Sequence, residues 1–183
     1  ECAIEPAPTS KAVIGQATGH IGPRNLIASA GKAVEITGSS YLVDENRILV
    51  RHGLDELERR SRPGVRALLR KAGIADDVRL DAEHLGFQLG PRLNAPGRLG
   101  SAAPAFNLLR ARSDAEAEPF AAEVERFNRQ RKAHQEQIVS EAFGQLDADR
   151  RVSKRAGLVV IGDGWAPGVV GIAASSLVER YGR

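Results

Sequence analysis

Residues 114 to 147 carry the longest uninterrupted helical pattern in the chain, and it constrains the fold more than any other stretch. Acids sit early (Asp114, Glu116, Glu118), where the positive end of the helix dipole favours them, and no proline follows Pro119. At 1.5 Å per residue such a helix reaches roughly 50 Å. Phe120, Val124 and Phe127 give it an apolar stripe at one end, and Ile138, Ala142, Phe143 and Leu146 at the other. The middle, NRQRKAHQEQ at 128 to 137, has no large apolar residue. A core face at each end and a polar waist between them is the pattern of a helix bridging two bodies.

The flanks differ in kind. From Asp44, a plausible N-cap, Ile48, Leu49, Leu54 and Leu57 recur at helical spacing and predict one apolar face. Pro63 and Gly64 break the run, a second short helix extends to Lys71, and Gly73 stops it. Asp81 can cap the segment AEHLGFQL, and Ser101 to Arg112 again reads as helix, with Phe106, Leu108 and Leu109 apolar. After the long helix, GLVVIG reads as a buried strand, DGWAPG as a turn, and Val169 to Tyr181 as a helix. A lone strand forms no sheet, so this opening of an α/β domain needs strands from elsewhere. Residues 1 to 41 mix Gly, Ala, Ser and Thr with short apolar runs, AVIG and AVEITG among them, and stay unassigned.

Between the predicted helices lies GPRLNAPGRLG, residues 90 to 100. Glycine permits positive φ and close backbone approach, proline fixes the chain without donating, and asparagine accepts tight turns. The stretch therefore predicts a rigid, irregular loop. Arg92 and Arg98 each offer a planar five-donor fork suited to phosphate oxygens, and Asn94 can bond backbone, base or carboxylate. From His84 to Ser113 there is no Asp or Glu, whereas Arg92, Arg98, Arg110 and Arg112 all fall there. That is an anion site's charge pattern, and equally that of an inter-helix connector with solvated arginines. The basic waist Arg126, Arg129, Arg131 and Lys132 is open in the same way between a nucleic-acid track and a solvated face. The Gly-rich turn before Val169 matches no phosphate-binding fingerprint, and strand-helix packing explains it as well as anion binding does.

Composition excludes several classes. With 42% hydrophobic and 27% charged residues the chain is globular, and no apolar run approaches the ~20 residues of a membrane helix. A single cysteine, Cys2, builds no disulfide framework, and a cytoplasmic location fits. The four histidines, His20, His52, His84 and His134, show no metal-ligand spacing, and no nucleophile-base pair stands out. The net charge of +3 favours an acidic partner only slightly. Opening on Glu1 and lacking methionine, the chain reads as part of a longer translation product.

Taken in order, ENRILVRHGLDEL, RPGVRALLRKAGI, LGFQLGPRLNAPGRLGSA, FNRQRK in the long helix and GWAPGVVGIAASSLVERYGR resemble the middle of RecJ-type exonucleases of the DHH phosphoesterase family. The resemblance runs from about residue 42 to residue 183. It implies an α/β fold in which residues 42–112 close a DHH-type domain, 113–150 form a long connecting helix, and 151–183 open a DHH-associated domain. It implies single-stranded DNA as substrate, with a single-strand-binding protein or a helicase as protein partners. Hydrolysis in that family uses water activated between two divalent ions, Mn²⁺ or Mg²⁺. Relatives that cleave short oligonucleotides or cyclic dinucleotides, and scaffold proteins that kept the fold and lost the metals, are the alternatives.

The departures define what this chain carries. There is no D-H-H, D-A-D at 147 to 149 is misplaced, and SSYLVDENR stands where the family has T-V-A-D-V, so catalytic and metal-binding residues are expected to be absent. Trp165-Ala166-Pro167-Gly168 replaces the usual Trp-His-Pro-Gly. What carries over is a substrate-phosphate site of Arg92, Asn94 and Arg98, shaped by Gly90 and Gly97, with Trp165 and Gly168 as further DNA-binding candidates.

Overall fold

A computed structural model describes residues 12–15, 24–29, 32–37 and 44–182, with side chains from residue 47 onward. The unassigned N-terminal region contributes three strands, β1 (Ala12–Gly15), β2 (Arg24–Ser29) and β3 (Lys32–Thr37), the last two paired antiparallel from Arg24↔Thr37 to Ser29↔Lys32. Helices dominate the rest. None is long and apolar enough to cross a membrane among the described residues. The contacts divide the chain into two units that meet within the long helix, between Arg131 and Lys132.

In the unit ending at Arg131, α1 (Asp44–Glu58) and α2 (Pro63–Ala72) take the predicted positions. Pro63 opens α2 where a missing N–H costs nothing. Gly73 ends it in the left-handed region at φ 76°, its N–H reaching the Arg70 carbonyl at 3.0 Å and that of Ile74 reaching Leu69 at 3.0 Å. That paired return is the Schellman cap, and it delivers buried Ile74 to the core. The expected face of α1 needs correcting. Val50 is buried and Leu54 and Leu57 pack on the core, whereas Ile48 and Leu49 are 59% and 55% exposed. Positions 50, 54 and 57 follow the i, i+4, i+7 row, and residues 48 and 49 point off it.

The predicted loop is also corrected. Residues 84–89 form a π-helix that runs directly into α3 (Gly90–Leu99), so GPRLNAPGRL is helical. Gly90 sits at φ −57°, ψ −49°, and the glycines with positive φ among the described residues are Gly73, Gly164 and Gly182. Neither Gly90 nor Gly97 supplies turn geometry. Pro91 falls in the first turn, and Pro96 lies inside the helix, a position that ordinarily costs about 3 kcal/mol. Leu89, Gly90, Ala95 and Pro96 are buried, so packing of this face overrides local preference. Asp81 does cap the segment, its Oδ1 accepting the His84 N–H at 2.9 Å.

Helix α4 (Ala103–Arg110) buries Leu108 completely and leaves Phe106 exposed beneath the Arg110 guanidinium, 5.2 Å from the ring centroid. Helix α5 (Asp114–Asp147) has the bounds its pattern gives, opened by Ser113, whose Oγ accepts the Glu116 N–H at 3.2 Å. Ala117, Ala121 and Val124 join Val65, Leu68, Leu69 and Leu108 in the core of this unit.

Ion pairs tie α2 to the first turns of α5. Arg66 grips Asp114 at 3.2 and 2.9 Å, and Glu118 takes Lys71 at 2.6 Å and Arg70 at 3.3 Å. The Arg66 hydrogen bond holds the Asp114 carboxyl below its usual range, and the Lys71 bond does the same to Glu118. Carboxyls depressed on folding contribute stability above their unfolded pKa, and that stability is lost as pH falls through the lower folded value. Melting followed by circular dichroism should therefore show stability unaffected by these groups from pH 7 to about 5 and declining below about pH 4. Because the pairs are exposed, their contribution is small and should shrink in 1 M salt.

In the other unit, Ile138, Ala142 and Leu146 of the C-terminal part of α5 are buried, as are Leu158, Val160, Trp165, and Val169, Ala173 and Leu177 of α6 (Pro167–Tyr181). Strand β4 (Val159–Gly162) pairs antiparallel with β1, from Ala12↔Gly162 to Gly15↔Val159. The predicted lone strand thus has its partner at the N-terminal end of the chain. The Gln145 side chain bonds both backbone groups of Ile161, at 2.8 and 3.4 Å, as a further strand would. At the helix ends, Asp147 accepts Arg180 at 3.1 and 2.9 Å and the Tyr181 hydroxyl at 2.7 Å.

Candidate nucleic-acid interface

Helix α3 carries both motif arginines, Arg92 in its first turn and Arg98 in its last. Arg92 is largely enclosed: Nε donates to Glu125 Oε2 at 2.9 Å and Nη1 to the Gln88 carbonyl at 2.7 Å, and the two charged side chains are 14% and 13% exposed. Its fork is thus aimed by an ion pair to α5 and by a carbonyl of the π-helix. Glu125 Oε1 also accepts Arg129 Nε at 3.4 Å, so one carboxylate serves two guanidinium groups.

Arg98 stands in the last turn of α3, one turn beyond Asn94 and on the same face. Although the residue as a whole is exposed, burial of its charged end holds the guanidinium below its ordinary value. The third member comes from the waist of α5. Asn128 and Arg131 are buried, at 1% and 9% exposure, and Arg131 Nη2 donates to Asn128 Oδ1 at 2.9 Å. Burial lowers the Arg131 pKa, and the positive charges of Arg98 and then Arg92 lower it further. The charges of Arg98 and Arg92 thus reach Arg131 within a single unit.

Of the sequence-predicted residues, Arg92, Asn94 and Arg98 all belong to α3, Asn94 and Arg98 one turn apart on one face; Gly90 is buried at its start and Gly97 exposed in its last turn. A Cβ at Gly97 would meet only Ala102 Cβ, at 3.6 Å, which is ordinary contact. Trp165 and Gly168 belong to the other unit. Trp165 is 2% exposed, donates from Nε1 to Glu141 Oε2 at 2.6 Å and lies against Gly162, so its ring is engaged in packing. Gly168 is half-buried in the first turn of α6. Among the waist residues, Arg126 lies 4.4 Å over the Phe127 ring and 3.5 Å from Glu123, while Lys132 is exposed.

Sequence reasoning missed the role of Asn128 and the burial of Arg131. The spacing 117, 121, 124, 128, 131 continues the inward stripe of α5, but the last two positions carry polar residues and so look solvated. Among the described residues no three His, Cys, Asp or Glu side chains come together as ligands for a metal ion would.

A comparison with protein-family models finds no match. Curated relatives are found. The chain is 40% identical over 142 residues to the single-stranded-DNA-specific exonuclease RecJ of Bacillus subtilis, covering 78% of this chain and 18% of that protein. It is 38% identical over 172 residues to RecJ of Salmonella typhimurium, covering 90% of this chain and 29% of that protein. Among solved structures, RecJ from Thermus thermophilus in complex with Mn²⁺ superposes with a TM-score of 0.64 at 31% identity, over 78% of this chain and 20% of that one. The chain thus spans under a third of the length of these relatives.

Proposed function

The chain is RecJ-like over 78% of its length, and we propose that it supplies the substrate-phosphate side of a single-stranded-DNA-specific 5'→3' exonuclease. The observation that carries this is the arrangement of α3, which holds Arg92 on Glu125 and carries Arg98 at its exposed end, in a window of sequence that contains no acid. Arg98, at the exposed end of α3, makes the direct contact, Asn94 flanks it one turn back, and Arg92 is held behind it by Glu125. Guanidinium forks that bind phosphate and not base edges fit a site that moves along a strand without sequence preference.

The Mn²⁺ or Mg²⁺ named for the solved relatives finds no three-residue donor set among the described residues, so these side chains are assigned binding and orientation of the strand. The water-activating centre of the relatives' chemistry is not routed through them. The same proposal places the activity in recombination and repair in the cytoplasm, alongside a single-strand-binding protein or a helicase.

Salt-dependent binding to an oligo(dT) strand tests the site. Replacing Arg98 by Ala should weaken binding and reduce the slope of log K against log salt by about 0.7, the signature of one lost single-strand phosphate contact. Arg59→Ala, which removes an exposed arginine paired with Glu56, should change neither. An unchanged slope in Arg98→Ala would overturn the phosphate role of α3.

A further inference from the structure

Away from α3, a groove of about 270 Å³ opens between α1 and the segment 79–82. Arg47, Arg51 and Asp55 line it as one i, i+4, i+8 row of α1, and Val50, Leu54 and Glu58 line it as the next. Glu58 builds the opposite wall: its Oε1 accepts the Leu80 N–H at 2.9 Å and lies 3.9 Å from Arg79 Nε. Val50 and Leu80 are buried and Leu54 is half-buried, so the floor is apolar. The rim is charged and uncompensated where it is most basic. No ion pair among the described residues engages Arg47 or Arg51, whereas nearby Arg59 and Arg60 each hold an acid. Arg47 and Arg51 stand one turn apart, where like charges repel, and Asp55, one turn beyond Arg51, does not take its fork.

We propose that this groove binds a single deoxynucleotide whose base carries an exocyclic amino group. Arg47 and Arg51 clamp the phosphate through their planar forks, the base lies on Val50, Leu54 and Leu80, and its amino group donates to Asp55, as the amino group of cytosine does to a carboxylate. The order of charge along the row, two cations and then an anion, matches the polarity of such a ligand. An inorganic anion leaves the apolar floor empty, and a neutral nucleoside leaves both arginines without a counter-charge. From Arg47 to Asp55 is about 12 Å along the helix axis, room for a phosphate, a sugar and one base. The volume lies just under the roughly 300 Å³ at which small-molecule sites begin, which suits one nucleotide and not a run of them. None of these side chains belongs to α3 or α5, so the groove goes beyond the phosphate reading of α3 and does not depend on it.

Calorimetric titration of the full chain with dCMP, dTMP, deoxycytidine and inorganic phosphate tests the assignment, with Arg51→Ala, Asp55→Ala, Arg98→Ala and the exposed control Arg59→Ala. Wild type should bind dCMP at least about tenfold more tightly than either deoxycytidine or phosphate, since only dCMP engages both ends of the groove. It should prefer dCMP to dTMP, which offers no amino group. Arg51→Ala should bind dCMP no better than deoxycytidine, Asp55→Ala should bind dCMP and dTMP alike, and Arg59→Ala should match wild type. Both altered side chains are exposed, so these variants keep the fold, and melting curves check that. Equal affinity for dCMP and phosphate would reduce the groove to a plain anion site and overturn the proposal, as would equal affinity of wild type for dCMP and dTMP. Loss of dCMP binding in Arg98→Ala with none in Arg51→Ala would put the nucleotide on α3 and overturn it equally. The bases of oligo(dT) carry no amino group, so a lowered salt slope in Arg98→Ala beside a wild type that ignores dCMP would end the groove alone and leave the α3 site standing.

Discussion

Gly64→Ala should lower the stability of the unit ending at Arg131 by more than about 2 kcal/mol, because the added methyl would run into backbone and not into a movable side chain. A Cβ at Gly64 would lie 1.8 Å from the Leu108 carbonyl oxygen and 2.7 Å from its carbon. No rotamer change relieves this, since Leu108 O belongs to α4 itself. The two helices must move apart by more than an ångström, and Val65, Leu68 and the fully buried Leu108 lose contact together. Gly53→Ala is the control. Nothing lies within 4 Å of a Cβ there, and it sits inside α1, so alanine should stabilise by about 0.5–1 kcal/mol. Thermal melts of both variants check the pair. Equal melting temperatures would mean that α2 and α4 are not in backbone contact in solution. Because α3 packs against α4, Gly64→Ala should also weaken oligo(dT) binding near its own melting temperature, whereas Arg98→Ala should weaken it at every temperature below melting.

How far the sequence foretold this arrangement depended on whether the deciding interaction was local. Gly73 ended α2 as expected because a left-handed cap is settled by one residue without a Cβ. The extent of α5 followed from 34 residues of consistent pattern with an N-cap at its start. The stretch GPRLNAPGRL misled, since its glycines and prolines argue locally for a loop, while burial of Leu89, Ala95 and Pro96 makes it a helix. Strand pairing of β1 with β4 joins residues nearly 150 positions apart, which no local signal reports. The same division holds at the site. Arg92 and Arg98 stood out in a window without acids, but the carboxylate that holds Arg92 is Glu125, 33 residues on. Asn128 and Arg131 were hidden by their own polarity, although their spacing continued the apolar stripe. A charged residue in the inward register of a helix is a stronger signal than its hydropathy suggests.

Trp165 carries the second large effect, and it separates packing from DNA contact for a residue that the sequence placed among the DNA-binding candidates. Its indole is 2% exposed, with its edge over Gly162, where an added Cβ would lie 1.9 Å from the ring, and its N–H on Glu141 at 2.6 Å. Trp165→Ala should therefore cost about 3–5 kcal/mol in the unit built on α6 and the end of α5. Trp165→Phe should cost less, since most of the apolar contact survives. It would release Glu141, whose carboxyl is held low first by the indole hydrogen bond and then by Gln137, to titrate closer to the ordinary carboxylate range. Trp165 is the sole tryptophan of the chain, so its fluorescence reports on this site without labelling. Emission should be blue-shifted in the folded protein, move to longer wavelength on unfolding, and stay constant as oligo(dT) saturates the α3 arginines. Quenching that follows the binding isotherm would show bases reaching the indole and would return Trp165 to the DNA interface. Constant emission together with a large loss of stability in Trp165→Ala would assign it to the core, leaving recognition of the strand to α3.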